Sequence, residues 1–394
     1  MAFQVTTAAT PRLRLMIPAL SAANFVVGLG TFVIVGLMLP INATHDLTLQ
    51  QGGGLMTVFA VAFAILSPVL GAVTGRVDRR LLLCGAMGLF ALGAIGTALA
   101  PEYLTLCISR VIAAAGAAVI TPVSALVASH HSPEHMKGRA LAGVIIGVTL
   151  AQVAGVPAAV WLGHGLGWQA VFWGVAGLSL PIALALWLSV PEGLDFVRVG
   201  PQDLWRALRN GRQMLAVSFT IFYVGGLYIV YIYIAKLLEA EMGWGPDRLV
   251  LFLTMAGLGA VAGNIAGGLT IDRIGATRTL AGLCAIQLLL LPVFSLLPIP
   301  MIGMAALAFA AASIGWAAGA AQQARLLSLG KQAGQVLISL NAGAGFVAAA
   351  YGASLGGLVI SGFGPGWLGW AGAGSVLLAG ALLGLSALWR EKPA

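Results

Sequence analysis

The chain has 394 residues, of which 60% are hydrophobic and only 8% charged, and its mean hydropathy is +0.99. Water-soluble domains are close to half apolar and about a quarter charged, so a soluble globular domain is excluded, and a disordered chain would not hold this much apolar surface. The formal net charge of +8 could suggest nucleic acid, but the arginines lie in small groups between apolar runs, where attraction to anionic lipid accounts for them.

A membrane-spanning helix needs roughly 20 mostly apolar residues. The first such run, about 16–39, follows the polar stretch Ala2–Arg14 and is too long for a cleaved leader, so it reads as a first span. Further runs follow at about 53–73, 81–100, 104–129, 140–163 and 169–190. The next stretch, PEGLDFVRVGPQDLWRALRNGRQ, is the longest polar segment and reads as a linker with a short surface helix around 201–210. Apolar runs then resume at about 213–236, 248–270, 279–297, 301–326, 334–360 and 367–389. The expectation is an all-α membrane protein of twelve transmembrane helices, six in residues 1–190 and six in 213–394, joined by a linker at 191–212.

Cys84, Cys107 and Cys284 lie inside apolar runs without CxxC spacing or nearby histidine, and read as small buried hydrophobes rather than metal ligands or disulfides. Neither a metal nor a cofactor is expected.

Lysine and arginine positions set the expected orientation. Arg12, Arg14, Arg76, Arg79, Arg80, Lys137, Arg139, Arg198, Arg206, Arg209, Arg212, Arg273, Arg278, Arg325, Lys331, Arg390 and Lys392 all fall on one side, against Lys236 and Arg248 on the other. That side is expected to be cytoplasmic, with both termini and the linker there, in an inner membrane.

The string GAVTGRVDRRLLL at 71–83 returns in altered form as GLTIDRIGATRTL at 268–280, half the chain later and again between the second and third spans of a six-span unit. A duplicated six-span unit with substrate handled between its halves is an established transporter design. The second copy, through Gly268, Asp272, Arg273, Gly275 and Arg278, resembles the cytoplasmic loop signature of the major facilitator superfamily. The first copy departs from it, with Gly75 where the signature has Asp and Asp78 where it has Gly. LCISRVIAAAGAA (106–118) is similar to the family's fourth-span pattern, with Arg110 in place. GVTLAQVAGVPAAVWLG (147–163) resembles its fifth-span antiporter motif through Gly147, Gly155 and Pro157. With GWQAVFW (167–173) and YIVYIYIAKLL (228–238), the likeness is to the drug and sugar efflux branch, near the arabinose-efflux type permeases.

The resemblance implies the major facilitator fold, two pseudo-symmetric bundles working by alternating access. It implies a conformational gate at Gly71, Arg76, Asp78, Gly268, Asp272, Arg273, Gly275 and Arg278. A carboxylate near a helix end or beside an arginine can form such a latch, although in the first copy a plain topology-setting loop is an equal alternative. Gly147, Gly155 and Pro157 would bend the fifth span where the halves meet.

Inside the membrane Arg110 is the clear ionisable group. It could bind substrate, couple to protonation, or hold backbone carbonyls of a neighbouring helix. The twelve acids and five histidines fall in loops or at span edges, which leaves proton exchange without an evident mid-membrane carrier. The neutral polar set is Asn24, Thr31, Gln152, Tyr223, Tyr228, Tyr231, Asn264, Gln287, Gln322, Gln323 and Asn341. Of these, Asn24, Thr31, Gln152, Tyr228, Tyr231, Gln322, Gln323 and Asn341 are, with Arg110, the candidates for substrate binding or coupling, with one of Gln322 and Gln323 lining a cavity and the other packing. Such a set suits a neutral or amphipathic small molecule. The expected function is its export, in exchange for protons or not, by a protein that suffices as a monomer. The alternatives are a proton-independent facilitator or uptake permease, and a membrane-embedded enzyme, for which HHSPEH (130–135) is the nearest ligand cluster.

Overall fold

The computed structural model describes residues 11–74, 77–132, 137–192, 205–206, 208–329 and 331–388. Within them, twelve helices are long and apolar enough to cross a membrane. In lipid each backbone N–H and C=O needs a partner inside its own segment, and helices supply it. The first six are α1 (Pro11–His45), α2 (Leu49–Val73), α3 (Arg79–Leu99), α4 (Tyr103–His130), α5 (Lys137–Leu150, continued by a π turn Ala151–Gly155 and then Val156–Leu166) and α6 (Trp168–Ser189). The second six are α7 (Gly211–Tyr231), α8 (Pro246–Ile274), α9 (Ala276–Leu290), α10 (Met301–Ser328), α11 (Lys331–Phe363) and α12 (Leu368–Leu388). After α7 the chain turns at Ile232 and Tyr233 and continues as a short helix, Ile234–Met242. Each of the twelve expected apolar runs holds one of these helices, but the run at 213–236 breaks at Ile232 and Tyr233 and the run at 279–297 ends in a 3-10 turn, Leu291–Ser295. Of the linker, Trp205, Arg206, Leu208 and Arg209 are helical, and Arg76 and most of 191–212 lie outside the described residues.

Local chemistry sets the helix starts. Thr48 and Gln51 form a reciprocal capping box at α2: Gln51 N–H donates to Thr48 Oγ1 at 3.2 Å, and Thr48 N–H donates to Gln51 Oε1 at 2.9 Å. Asp78 caps α3, its carboxylate accepting from the N–H groups of Arg80 (2.9 Å) and Leu81 (3.2 Å). Gly275, at φ +82, ends α8 and starts α9 in a backbone conformation that a side chain would strain.

The helices assemble into two six-helix bundles. In the first, α1 packs on α5 and α6, and α3 lies between α4 and α6. In the second, α7 packs on α11 and α12, and α8 on α10. Lipid tails give little hydrophobic drive between helices, so close approach through small residues carries the packing. A β-carbon on Gly93 of α3 would lie 2.5 Å from Ala113 N and 2.7 Å from its Cα on α4. Two seams join the bundles, α2 against α11 and α5 against α8. Along the first, Thr57 and Ser354 hydroxyls stand 3.5 Å apart and Phe63 stacks on Phe346 at 3.5 Å between ring centroids. Tyr233 is buried in the same seam, donating to Ala353 O at 2.6 Å and passing beside Gly53 and Gly357. Along the second, Gly36 of α1 meets Leu253, and Gly257 meets the π turn. Apart from the Phe63–Phe346 stack, which lies near mid-span, these contacts lie towards the end remote from the arginine-rich loops, so the halves close on that side.

At the arginine-rich end, Arg80 fixes the start of α3 to the end of α6. Its guanidinium lies 3.9 Å from the centre of the Trp187 ring and pairs with Glu192.

Gly93→Leu should force α3 and α4 apart and destabilise the detergent-solubilised protein by about 1–3 kcal/mol. Gly85→Ala, whose added β-carbon meets nothing within 4 Å, should leave the melting temperature unchanged. Thermal unfolding of the two purified variants checks this.

Candidate substrate cavity

In the bilayer core an unpartnered polar group costs several kcal/mol, so where each polar side chain spends its hydrogen bonds separates packing from binding. In the first bundle Asn24, Thr31 and Arg110 donate to backbone carbonyls. Asn24 donates to Leu20 O at 2.9 Å and Thr31 to Val27 O at 2.7 Å, each one turn back on α1. Arg110, 1% exposed, donates through Nη1 to Gly30 O at 2.9 Å and through Nη2 to Thr31 O at 3.5 Å. Its guanidinium carbon lies 4.5 Å from the centre of the Phe59 ring, a cation–π contact. Phe59 faces Phe346 across the seam at 6.2 Å. Arg110 thus holds α1 to α4 and backs the aromatic seam; it does not line the cavity described below.

In the second bundle Gln322 donates to Ala216 O at 2.6 Å, Asn341 accepts from Thr220 Oγ1 at 2.5 Å, and Gln287 donates to Tyr223 O at 3.3 Å. These bonds tie α7 to α10, α11 and α9. Gln322 is the buried member of its pair and Gln323 the exposed one, and neither lines the cavity.

A cavity of about 220 Å³ remains between mid-span and the end remote from the arginine-rich loops. Its wall comes mainly from the second bundle: Tyr223, Tyr228 and Tyr231 of α7, Phe252, Ala256 and Gly257 of α8, Phe294 from the 3-10 turn that continues α9, and Ala312, Gly315, Trp316 and Gly319 of α10. The first bundle contributes Phe32 and Gln152. Helical spacing puts Tyr228 and Tyr231 on one face of α7, where their rings meet edge to face at 6.4 Å. Glycines let α7 turn this face inward. A β-carbon on Gly225 would stand 2.6 Å from the Tyr351 ring and one on Gly226 2.7 Å from Gly372 O, so the opposite face lies hard against α11 and α12. Tyr223 donates to Ile314 O at 3.3 Å. Among the described residues, Gln152, Tyr228, Tyr231 and Trp316 make no hydrogen bond to the protein, so an amide, two phenols and an indole N–H face the space free to meet a ligand.

Around Gly147, Gly155 and Pro157, where a bend is expected, α5 widens into a π turn at Ala151–Gly155. Gly147 and Gly155 both pack against α1, Gly147 at the Ser21 carbonyl and Gly155 beside the Phe25 ring, which an added β-carbon would approach to 3.1 Å. Of the candidate gate residues, Asp78 serves as the α3 cap, while Gly71, Asp272, Arg273, Gly275 and Arg278 are exposed and Gly268 half-buried. Of HHSPEH only His130, His131 and Ser132 are described.

Trp316, Phe32, Phe252 and Phe294 are not among the residues singled out from sequence. Trp316 carried a usable signal: it lies mid-span, between Gly315 and Gly319, whereas spanning helices concentrate Trp at their ends.

A fold of two six-helix bundles around a central polar-edged cavity defines a transporter. A family model of the Major Facilitator Superfamily matches residues 20–337, and the chain belongs to that family. Its members are transporters that bind small molecules in the membrane, not enzymes. Over 348 residues it is 30% identical to the inner membrane transport protein YdhP of Escherichia coli (strain K12), covering 87% of this chain and 88% of that one. It is also 30% identical to a chloramphenicol resistance protein of Streptomyces lividans, over 64% of this chain and 66% of the relative. A bacterial homologue of the human lysosomal transporter Spinster, in an inward-facing and unoccupied conformation, shares the fold with a TM-score of 0.72 at 18% identity, over 96% of both chains.

Arg110→Lys keeps the charge but loses the guanidinium fork, so it should not restore the bonds to Gly30 and Thr31. We expect it to destabilise the protein by about 1.5–3 kcal/mol, read as a lower melting temperature, while Gln323→Ala, at an exposed position, should shift it little.

Proposed function

We propose that this protein exports a small, uncharged, amphipathic molecule with an aromatic or otherwise flat apolar body. The observation that carries this reading is the composition of the cavity wall: seven aromatic side chains around four unpartnered neutral polar groups. Aromatic faces take a flat apolar body and the amide, phenols and indole fix its orientation. A free sugar would present more hydroxyls than these groups can answer, and an unanswered hydroxyl is costly here. Export as the direction is supported by the resemblance of the fifth-span motif and by the drug-resistance relative.

In this reading residues 1–190 and 213–394 rock about the two seams, with 191–212 as the linker. The arginine-rich loops face the cytoplasm, as the lysine and arginine bias favours, and the protein works in the inner membrane as a monomer. The conformation described is then closed on the outside. The loop motifs act as the gate on the inner side, and the exposure of Asp272, Arg273 and Arg278 fits a latch released while that side is open.

A second reading concerns energy coupling. Among the described residues the cavity wall holds no aspartate, glutamate or histidine, and proton exchange needs such a group to change charge through the cycle. This favours a proton-independent facilitator, which can only equilibrate an uncharged molecule and would leave its steady-state accumulation in cells unchanged.

Cells expressing the protein should accumulate less labelled chloramphenicol than control cells, and Trp316→Ala should bring accumulation back to the control level. Equal accumulation with and without the protein would sink the export reading for this class of molecule. In proteoliposomes, initial chloramphenicol flux that is the same with and without an imposed pH gradient is the result expected of a facilitator. Flux that follows the gradient would establish exchange and place the proton carrier outside the cavity wall.

A further inference from the structure

Helix α5 contains one residue more than a regular helix would need between its two ends. Over Ala151–Gly155 it widens into a π turn, and the N–H of Val156 donates to the carbonyl of Ala151, five residues back. The cause lies in the sequence. Pro157 has no N–H for the Val153 carbonyl, and its ring would clash with that carbonyl in a regular helix. The turn is clamped from both sides. On α1, a β-carbon at Gly28 would stand 3.1 Å from Ala151 Cβ. On α8, one at Gly257 would collide with Val153 Cα and lie 2.9 Å from the Gln152 carbonyl oxygen.

Gln152 sits on this turn and lines the cavity, and among the described residues its amide has no protein partner. The other polar side chains of the first bundle near this level, Asn24, Thr31 and Thr149, are bonded to backbone carbonyls of their own helices. The other cavity residue from this bundle, Phe32, offers no hydrogen bond.

We propose that the π turn of α5 is a specificity element: its extra residue aims Gln152 at the cavity and so gives the first bundle its hydrogen-bonding hold on the substrate. This rests on the reading of the cavity as the substrate site. A ligand held by Tyr228, Tyr231 and Trp316 on one side and Gln152 on the other spans the α5–α8 seam, and therefore reports its presence to both halves. Each residue of the turn takes its direction from the widened backbone, so closing the turn would re-aim Gln152 relative to the cavity wall while the flanks of α5 keep their register. Substrates of this site are then expected to present a carbonyl or hydroxyl at the edge facing α5. Broadened turns of this kind are frequent at functional sites.

The test measures chloramphenicol affinity of the purified full-length protein and four variants. Deleting Ala154, which is exposed, removes the extra residue. Pro157→Ala restores the missing N–H and with it the option of a regular helix. Gln152→Ala removes the amide, and Trp316→Ala probes the cavity independently. We expect Gln152→Ala, the deletion and Pro157→Ala each to weaken binding about tenfold, as the loss of one buried hydrogen bond does. If the deletion variant does not fold, Pro157→Ala and Gln152→Ala decide. Affinity unchanged in Gln152→Ala, or kept in both turn variants, overturns the inference. If Trp316→Ala nevertheless weakens binding, the cavity reading survives that failure; if Trp316→Ala also binds as wild type, the cavity reading itself falls.

Discussion

The bilayer core offers no water to an exposed polar atom, and that constraint orders the whole structure. It requires helices, since only they satisfy their backbone within a segment. It then requires each intramembrane polar side chain to be bonded within the protein or to face a cavity. Both halves do some of each, and Gln152 of the first bundle faces the cavity. Arg110, Asn24 and Thr31 bond to backbone carbonyls inside the first bundle. In the second, Gln322, Asn341 and Gln287 stitch helices together, while Tyr228, Tyr231 and Trp316 are left facing open space. The cavity is therefore one-sided, and its chemistry belongs mostly to α7, α8 and α10.

Small residues give the seams their geometry. Gly257 lets α8 meet the π turn of α5 backbone to backbone, and Gly53 and Gly357 leave the slot that Tyr233 fills. Tyr233 sits at the break between α7 and its short continuation, two residues after Tyr231 in the cavity wall. The wall of the cavity and the closure at the end remote from the arginine-rich loops thus share one stretch of chain. Phe59, Phe63 and Phe346 continue the closure inward, and Arg110 supports Phe59 from behind.

The spans were legible because their signal is local: some twenty apolar residues bounded by turn chemistry. The duplication at Gly71 and Gly268 was legible too, because it repeats in both register and topology. The cavity was only partly legible. Gln152, Tyr228 and Tyr231 stand out as neutral polar groups in apolar runs, but so do Asn24, Gln322 and Asn341, which serve packing. Which of these faces open space depends on helix rotations fixed by glycines on neighbouring helices, far apart in the chain. Arg110 is conspicuous as a mid-span charge, yet its partners are backbone carbonyls of α1, which carry no sequence signature. Pro157 announces a disturbance in α5 but does not say whether the helix bends or widens. Asp78 lies directly before α3 and caps it, a role that its place in the sequence does not separate from a latch.

The account stands on the location of the substrate, and site-directed alkylation tests that most directly. With Cys84, Cys107 and Cys284 replaced by serine, Ala312→Cys puts a thiol in the cavity wall and Gly71→Cys puts a control at the exposed end of α2. The account predicts that saturating chloramphenicol slows alkylation at position 312 several-fold and leaves position 71 unchanged. Equal alkylation rates at position 312 with and without bound chloramphenicol would contradict it and move the site elsewhere between the halves.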